Sequence, residues 1–349
     1  MPKPDHGCDD LSVTEVVYSH LIGECAWPEG QERMQIRPID VARAAATTLS
    51  AGPGLPIARR LMRTTSVALE VLAHLRGDWS GRRLRTVGLD GLDATARAET
   101  VQRIGVGLAR IVAERGPLKL VDFYNLDALA SDPSAPVVVR RQPRRRRRPD
   151  LAGSDVMGAW SLLEAKGRTA SGELRNVRLS ALDQVRSVDL AERNGEPIEP
   201  VARVSCVARL GDGDVTVFAD DPPSGEQTAL YRIDTSELVY HYYTLAREVL
   251  ALVGRTGPGL SGAPDYAALP LIGDEQLILG VHRRVLEVLD DPDGLLAVRA
   301  EVRESYEAEQ AEAEEAQDLT LGIGPDGFAL ASRALPMQSA LEPRPEDDQ

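Results

Sequence analysis

The spacing of apolar residues divides the chain into helical and strand-like stretches. Over the first 85 residues, apolar positions recur at helical intervals in segments 11–25, 38–50 and 66–77. The same spacing runs from 93 to 115, where a Gly-Pro pair ends it. The sequence therefore predicts a helical N-terminal region over 1–85, followed by an amphipathic helix.

Short apolar runs bounded by turn residues follow this helix, and they are typical of strands. The predicted elements are strands at 117–126, 136–153 and 159–168, a helix at 176–195, and strands at 201–210 and 214–219. The second and third strands are joined as a hairpin through Gly153 and Gly158. Residues 93–220 thus run helix, three strands, helix, two strands.

The remaining pattern is mostly helical. It comprises a helix at 236–254, a Gly/Pro-rich connection at 255–266, further helix through 275–317 and a short hairpin at 319–332. The chain is therefore expected to have four parts. They are a helical N-terminal region (1–85), a mixed α/β core (86–255), a mostly helical C-terminal region with an acidic helix (256–335) and a disordered tail (336–349).

Charge is distributed unevenly along the 349 residues, whose formal net charge is −14. The part from residue 299 onward holds 13 acids and four arginines, so most of the net acidity belongs to it. A cluster of opposite sign consists of Arg140, Arg141, Arg144, Arg145, Arg146, Arg147 and Arg148. A basic run is typically a solvated linker, but this one leads directly into a predicted hairpin. Overall acidity therefore does not exclude a nucleic-acid partner.

Other features place the chain in a reducing, aqueous compartment. No apolar run approaches the roughly 18 residues of a spanning helix, and the start lacks the order of a secretory signal. Cys8, Cys25 and Cys206 are widely separated, without the spacing of a zinc site or a disulfide framework. We expect a cytoplasmic protein with no membrane partner.

The predicted strand at 159–168 carries the residues best suited to chemistry. Because side chains alternate along a strand, Glu164 and Lys166 share one face with Trp160, while Leu163 takes the other. Asp150 is expected to end the preceding strand, and the hairpin can bring its carboxylate beside that of Glu164. Two acids and one lysine would then converge.

Such a cluster favours a divalent cation. Two carboxylates at close range repel each other, and hard oxygen ligands with room for water suit Mg²⁺ or Mn²⁺. Asp150, Glu164 and the carbonyl of Ala165 are the candidate ligands, and Lys166 would hold or help deprotonate a water molecule.

The choice of lysine supports a specific role. Lys3, Lys119 and Lys166 are the only lysines among 40 basic residues, so a position that needed only positive charge would rarely hold one. The competing interpretation is that Glu164 and Lys166 form an exposed pair on an edge strand, which contributes under about 1 kcal/mol.

The motif resembles that of the PD-(D/E)XK nuclease superfamily, which has the restriction-endonuclease-like fold. Pro149-Asp150 is followed after thirteen residues by Glu164-Ala165-Lys166, and Lys166 is the only lysine with an acid two residues before it. The element order predicted for 93–220 also matches the core of that superfamily, over about 130 of the 349 residues.

This resemblance implies a mixed α/β fold, with a restriction-endonuclease-like core whose central mixed sheet is flanked by helices, plus helical N-terminal and C-terminal regions. It implies metal-dependent cleavage of nucleic acid, with Asp150 and Glu164 as metal ligands and Lys166 as catalytic lysine. Gln184 on the following helix matches a glutamine found in some lineages, although its usual aromatic companion is missing. A glutamate on the first helix is also common, with Glu99 and Glu114 as candidates, and surface charge is the competing role for either.

The substrate expected from the resemblance is DNA, in defence or repair, with Mg²⁺ or Mn²⁺ as cofactor. The arginine run, Arg140 to Arg148, would lie at the rim of the site and bind phosphates without reading sequence. Two alternatives remain open. One is a catalytically inactive nuclease-like module that binds nucleic acid or protein, and the other is an all-helical interaction protein; the helical flanks could serve partner binding or self-association.

Overall fold

The structure is a computed structural model that describes twelve stretches of the chain. They are residues 14–19, 30–50, 56–77, 84–131, 137–140, 149–169, 174–211, 214–221, 229–254, 258–272, 276–315 and 320–332. Within them the class is mixed α/β, as predicted. The helices are α1 (Pro38–Ser50), α2 (Ile57–His74), α3 (Ala94–Arg115), α4 (Leu126–Ser131), α5 (Leu174–Arg186), α6 (Thr235–Tyr242), α7 (Thr244–Val253), α8 (Arg283–Glu287) and α9 (Pro292–Glu315).

The strands form three larger sheets and one short hairpin. The strands are β1 (Thr14–Ser19), β2 (Gly30–Met34), β3 (Leu75–Gly77), β4 (Leu84–Thr86), β5 (Asp122–Asn125), β6 (Val137–Arg140), β7 (Leu151–Ser154), β8 (Trp160–Arg168), β9 (Val188–Glu192), β10 (Pro197–Ile198), β11 (Ala202–Arg209), β12 (Thr216–Asp220), β13 (Ala229–Ile233), β14 (Gly259–Leu260), β15 (Ala263–Ile272), β16 (Leu277–His282), β17 (Leu321–Ile323) and β18 (Phe328–Ser332).

A seven-stranded mixed sheet with the order β2-β1-β12-β11-β8-β7-β5 forms the centre. Its middle follows the predicted order: α3 leads into the antiparallel meander β5-β7-β8, and after α5 the chain returns as β11, parallel to β8. A four-stranded sheet has the order β10-β9-β13-β6, and a five-stranded antiparallel sheet has the order β14-β15-β16-β18-β17. β3 and β4 pair as the short hairpin.

The alternation of β8 divides the core between the two faces of the central sheet. Leu163 and Ala165 belong to the hydrophobic cluster that α1, α2 and α3 form on one face. Trp160 and Leu162 belong to the cluster on the other face, together with α6, α7 and the five-stranded sheet. This division confirms the predicted assignment of odd and even positions of the strand to opposite faces.

Glycine allows α3 to lie directly on the end of β8. A Cβ added at Gly105 of α3 would lie 2.7 Å from the backbone nitrogen of Gly167, and one added at Gly167 would collide with the carbonyl oxygen of Val101. Any larger residue at these positions would push the helix away from the strand. The backbone next to Lys166 is therefore fixed by close packing.

Several predicted helices are strands instead, and each belongs to a long-range pairing. In segment 11–25, the residues of β1 form a strand that pairs in parallel with β12, so the N-terminal region is not wholly helical. The helix predicted at 176–195 ends at Arg186, and β9 follows it. The stretch at 275–317 begins with β16, which lies between β15 and β18, and the Gly/Pro-rich connection contributes β14 and the start of β15. The C-terminal region is therefore built on a sheet as well as helices.

Buried ion pairs join this C-terminal region to the central sheet. Arg299 of α9 binds Asp122 of β5 at 2.9 Å, and both side chains are buried. Arg110 of α3 binds Asp326, which also accepts a hydrogen bond from the Tyr242 hydroxyl at 2.6 Å. The C-terminal strands and α9 therefore belong to the same packed structure as the meander.

Some predictions lie outside the described residues. Arg141, Arg144, Arg145, Arg146, Arg147, Arg148 and the tail 336–349 fall there, and so do Cys8 and Cys25. Of Arg140, the backbone belongs to β6. Cys206 is buried with a free thiol. Among the described helices, none combines the length and apolar character needed to cross a bilayer.

Candidate active site

Asp150, Glu164 and Lys166 converge where β7 begins and β8 approaches its end. Leu151 of β7 pairs with Leu163 of β8, so the antiparallel register places Asp150, one position earlier, opposite Glu164. Asp150 thus directly precedes β7; the expectation that it ends the preceding strand is wrong, because β6 pairs in the four-stranded sheet instead. The convergence itself agrees with the sequence-based expectation.

Backbone hydrogen bonds fix the two carboxylates. The Asp150 amide donates to Glu164 Oε2 at 2.9 Å, and the Ala165 amide donates to Asp150 Oδ2 at 3.1 Å. Lys166 Nζ contacts Glu164 Oε1 and lies 3.9 Å from Asp150 Oδ2. The ammonium therefore lies between the two acids, as their common counter-charge.

The burial of these groups excludes the simpler interpretation of an exposed surface pair. β8 is an interior strand, between β11 and β7. The Glu164 side chain has no exposed surface, whereas Asp150 and Lys166 keep 20% and 26% of theirs. The cluster thus has a buried acid at its base and two groups that reach solvent or a substrate. The same sheet contradicts the all-helical alternative.

Burial shifts the protonation equilibria of the cluster. Burial, together with the neighbouring Asp150 charge, raises the pKa of Glu164 to about 8, against the lowering effect of Lys166. Burial also raises the pKa of Asp150, opposed by the Lys166 charge. For Lys166, burial and the Arg168 charge act to lower the pKa, but the charges of Glu164 and Asp150 outweigh them and raise it. The site therefore favours any additional positive charge.

The donor set fits a cation that brings water and substrate as its other ligands. Within the described ranges, no three His, Cys, Asp or Glu side chains lie close enough together to hold a metal ion. Mg²⁺ needs fewer, because it is usually bound through one or two carboxylates plus water and substrate phosphates. Since the Ala165 amide points to Asp150, the Ala165 carbonyl projects toward the same edge of β8. Asp150, Glu164 and that carbonyl could together hold such an ion.

The structure does not bring the other sequence candidates to this cluster. The Gln184 amide donates to the carbonyl of Ser180 in its own helix at 3.3 Å, and no hydrogen bond between described residues joins it to Asp150, Glu164 or Lys166. Glu114 is buried between Arg43 and Arg110, and Glu99 faces Arg103 on the helix surface. A catalytic role for Gln184 stays a prediction.

One buried polar row beside Glu164 has no signal in the sequence. Register places Ser205 of β11 next to Glu164, and Asp220 of β12 next to Ser205. Asp220 accepts a hydrogen bond from Arg178 Nε of α5 at 2.9 Å, while the buried Ser205 hydroxyl has no hydrogen-bond partner in the described part of the chain. These residues come together only through the pairing of distant strands.

Comparisons of the chain with protein-family models, with curated proteins and with solved structures found no match.

Proposed function

We propose that this protein is a metal-dependent nuclease that hydrolyses phosphodiester bonds of DNA, with Mg²⁺ or Mn²⁺ as cofactor. The observation that carries the proposal is the convergence of Asp150, Glu164 and Lys166, held by reciprocal backbone hydrogen bonds on an interior strand. A buried acid with a raised pKa, paired with a lysine in a partly open site, is typical of catalytic centres.

The topology around the cluster gives independent support. The PD-(D/E)XK resemblance implies a helix, a three-stranded meander, a second helix and a further strand. In the central sheet α3, β5-β7-β8, α5 and β11 follow this order, while the intervening β6, β9 and β10 belong to the four-stranded sheet. Asp150 directly precedes the second strand of this meander, and Glu164 and Lys166 lie on the third strand, so the motif falls on one hairpin, which supports the resemblance. We therefore propose the restriction-endonuclease-like core as the finer description of this mixed α/β fold.

Each site residue has a distinct part in the proposed reaction. Asp150, Glu164 and the Ala165 carbonyl would hold the divalent ion, which when bound supplies Lewis acidity toward the phosphate. The Lys166 ammonium, which keeps 26% of its surface, can hold a water molecule by hydrogen bonding and stabilise negative charge on the phosphoryl oxygens. The attacking water forms the new P–O bond and loses a proton to solvent. The bond to the sugar oxygen breaks, and that oxygen takes a proton from solvent and leaves as a hydroxyl group.

The alternative, an inactive module that binds nucleic acid or protein, requires a site that has lost its chemistry. Here all three motif side chains are present and within contact distance, so catalysis is the better-supported proposal. A cytoplasmic location and a role in defence or repair belong to the same proposal.

The test is cleavage of DNA by the purified full chain. Circular and linear DNA, each single- and double-stranded, would be incubated with Mg²⁺, with Mn²⁺ or with EDTA. We expect metal-dependent cleavage that EDTA abolishes, and cutting of circles would identify an endonuclease. Tight binding of DNA without cleavage under any metal would support the inactive module instead.

A further inference from the structure

Two arginines lie side by side just beyond Lys166. The parallel pairing of β8 and β11 places Arg168 directly next to Arg209 at the ends of the two strands. By alternation, both positions belong to the face that carries Glu164 and Lys166. Arg168 follows Lys166 by two strand positions, about 6.6 Å along the chain. Its positive charge acts to lower the pKa of Lys166.

This pair has no acidic counterpart in the described part of the chain. Arg209 Nη2 donates to the neutral hydroxyl of Thr216 at 3.1 Å, and Arg168 is exposed at the strand end. Two acids of the adjoining strand and bridge, Asp220 and Asp214, form ion pairs with other arginines, Arg178 and Arg85. Two like charges on neighbouring strands destabilise a sheet unless an anion compensates them.

From this placement we infer that Arg168 and Arg209 form a phosphate-binding site for the DNA strand, next to the phosphodiester at Lys166. This inference rests on the proposed nuclease function and deepens it. Guanidinium groups suit the task, because each offers several donors in a planar arrangement that matches phosphate oxygens. The site lies on the side of Lys166 away from Glu164, so it would hold the substrate backbone along the direction of β8.

The pair is open to a ligand on the sheet face that carries Lys166. The Arg168 side chain is exposed, and Lys166 on the same face keeps 26% of its surface. Contacts to phosphate carry no sequence information. The pair would therefore contribute affinity and position rather than sequence preference.

The test measures DNA binding separately from cleavage. A Glu164→Gln parent, in EDTA, would be titrated with a fluorescein-labelled DNA duplex over a range of KCl concentrations, followed by fluorescence anisotropy. Arg168→Gln with Arg209→Gln would be compared with a control pair, Arg193→Gln with Arg284→Gln, which removes the same charge from surface arginines that face acids. The Arg168→Lys, Arg209→Lys double variant separates charge from guanidinium geometry.

In the Arg168→Gln, Arg209→Gln variant, the loss of two phosphate contacts should make the slope of the logarithm of the DNA association constant against the logarithm of the KCl concentration shallower by about 1.8. The control pair should keep the slope of the parent. The lysine variant should keep the slope with weaker binding. If the glutamine pair does not fold, Arg168→Gln alone, at an exposed position, should reduce the slope by about 0.9. If the wild type cleaves DNA but the glutamine variant keeps the slope of the parent, the phosphate-binding site is wrong and the nuclease proposal stands. Absence of both binding and cleavage would overturn the nuclease proposal and this site with it.

Discussion

Asp150 and Glu164 hold each other in place across two strands. The Asp150 amide donates to the Glu164 carboxylate at 2.9 Å, and the amide that follows Glu164 donates to the Asp150 carboxylate at 3.1 Å. Each acid thus keeps its orientation through the backbone of the other strand, with Lys166 as their counter-charge. This reciprocal arrangement holds two mutually repelling carboxylates together in the absence of substrate.

Divalent metal should stabilise the folded protein through these acids. Mg²⁺ or Mn²⁺ that binds only the native state adds about 2.7 kcal/mol at a hundredfold excess over Kd. Thermal unfolding should therefore shift upward with metal in the wild type, and much less in Asp150→Asn or Glu164→Gln. Glu99→Gln, on the surface of α3, is the matched control and should keep the full shift. An equal shift in all variants would place the metal elsewhere.

Without metal, Glu164 should make stability fall with rising pH. Its pKa is about 8 in the folded protein and ordinarily 4.5, so the folded state holds the proton more tightly. The resulting stabilisation is complete below about pH 4.5 and is lost as pH rises toward about 8. In EDTA, the free energy of unfolding of Glu164→Gln relative to the wild type should therefore rise between about pH 4.5 and about pH 8, by on the order of a few kcal/mol. Denaturant unfolding measures this difference. If the difference in free energy of unfolding between Glu164→Gln and the wild type does not change with pH, the raised pKa of Glu164 is contradicted.

Gly167→Ala should damage the site through packing. The new methyl group would collide with the Val101 carbonyl of α3, which must then move away from β8. We expect a loss of about 1–3 kcal/mol of stability and reduced cleavage, since Lys166 is the preceding residue. Gly30→Ala is the control, because a Cβ there meets no atom within 4 Å. Urea unfolding and cleavage rates measure both effects, and a Gly167→Ala protein that behaves like the control would refute them.

The buried contacts of the C-terminal region should be essential to stability. Asp326→Ala leaves Arg110 and Arg43, both fully buried, to share the single carboxylate of Glu114 among the described residues. Removal of one partner from a buried ion-pair network costs about 3–5 kcal/mol. Chemical denaturation would measure this loss. Glu287→Ala, which removes an exposed partner of Arg284, should leave the unfolding midpoint unchanged. Comparable midpoints for the two variants would show that the network does not hold the C-terminal region in place.

Local patterns predicted the parts of the site that depend on neighbouring residues. The alternation along β8 assigned Glu164 and Lys166 to one face, and the turn near Gly158 placed β7 beside it. The helices α1 and α3 likewise follow from periodicity. These features are fixed by interactions within a few positions, which the sequence displays directly.

Long-range pairing determined what the sequence could not show. The β1 segment has apolar positions compatible with a helix, and only pairing with β12, some 200 positions away, makes it a strand. Arg110 and Asp326 are 216 positions apart, and arginine is rarely a core residue. The neighbours Ser205, Arg209 and Asp220 join the face of Glu164 through strand register alone.

The proposed nuclease site is tested by cleavage of closed circular DNA in Mg²⁺ with three proteins: the wild type, Lys166→Ala and Lys119→Ala. Lys119 lies outside the cluster, where its ammonium donates to the Arg115 carbonyl. We expect the wild type and Lys119→Ala to cleave the DNA, and the cleavage rate of Lys166→Ala to be lower by at least about a hundredfold, as is typical when a group that stabilises transition-state charge is removed. Equal cleavage by all three proteins, or none by the wild type, would contradict it.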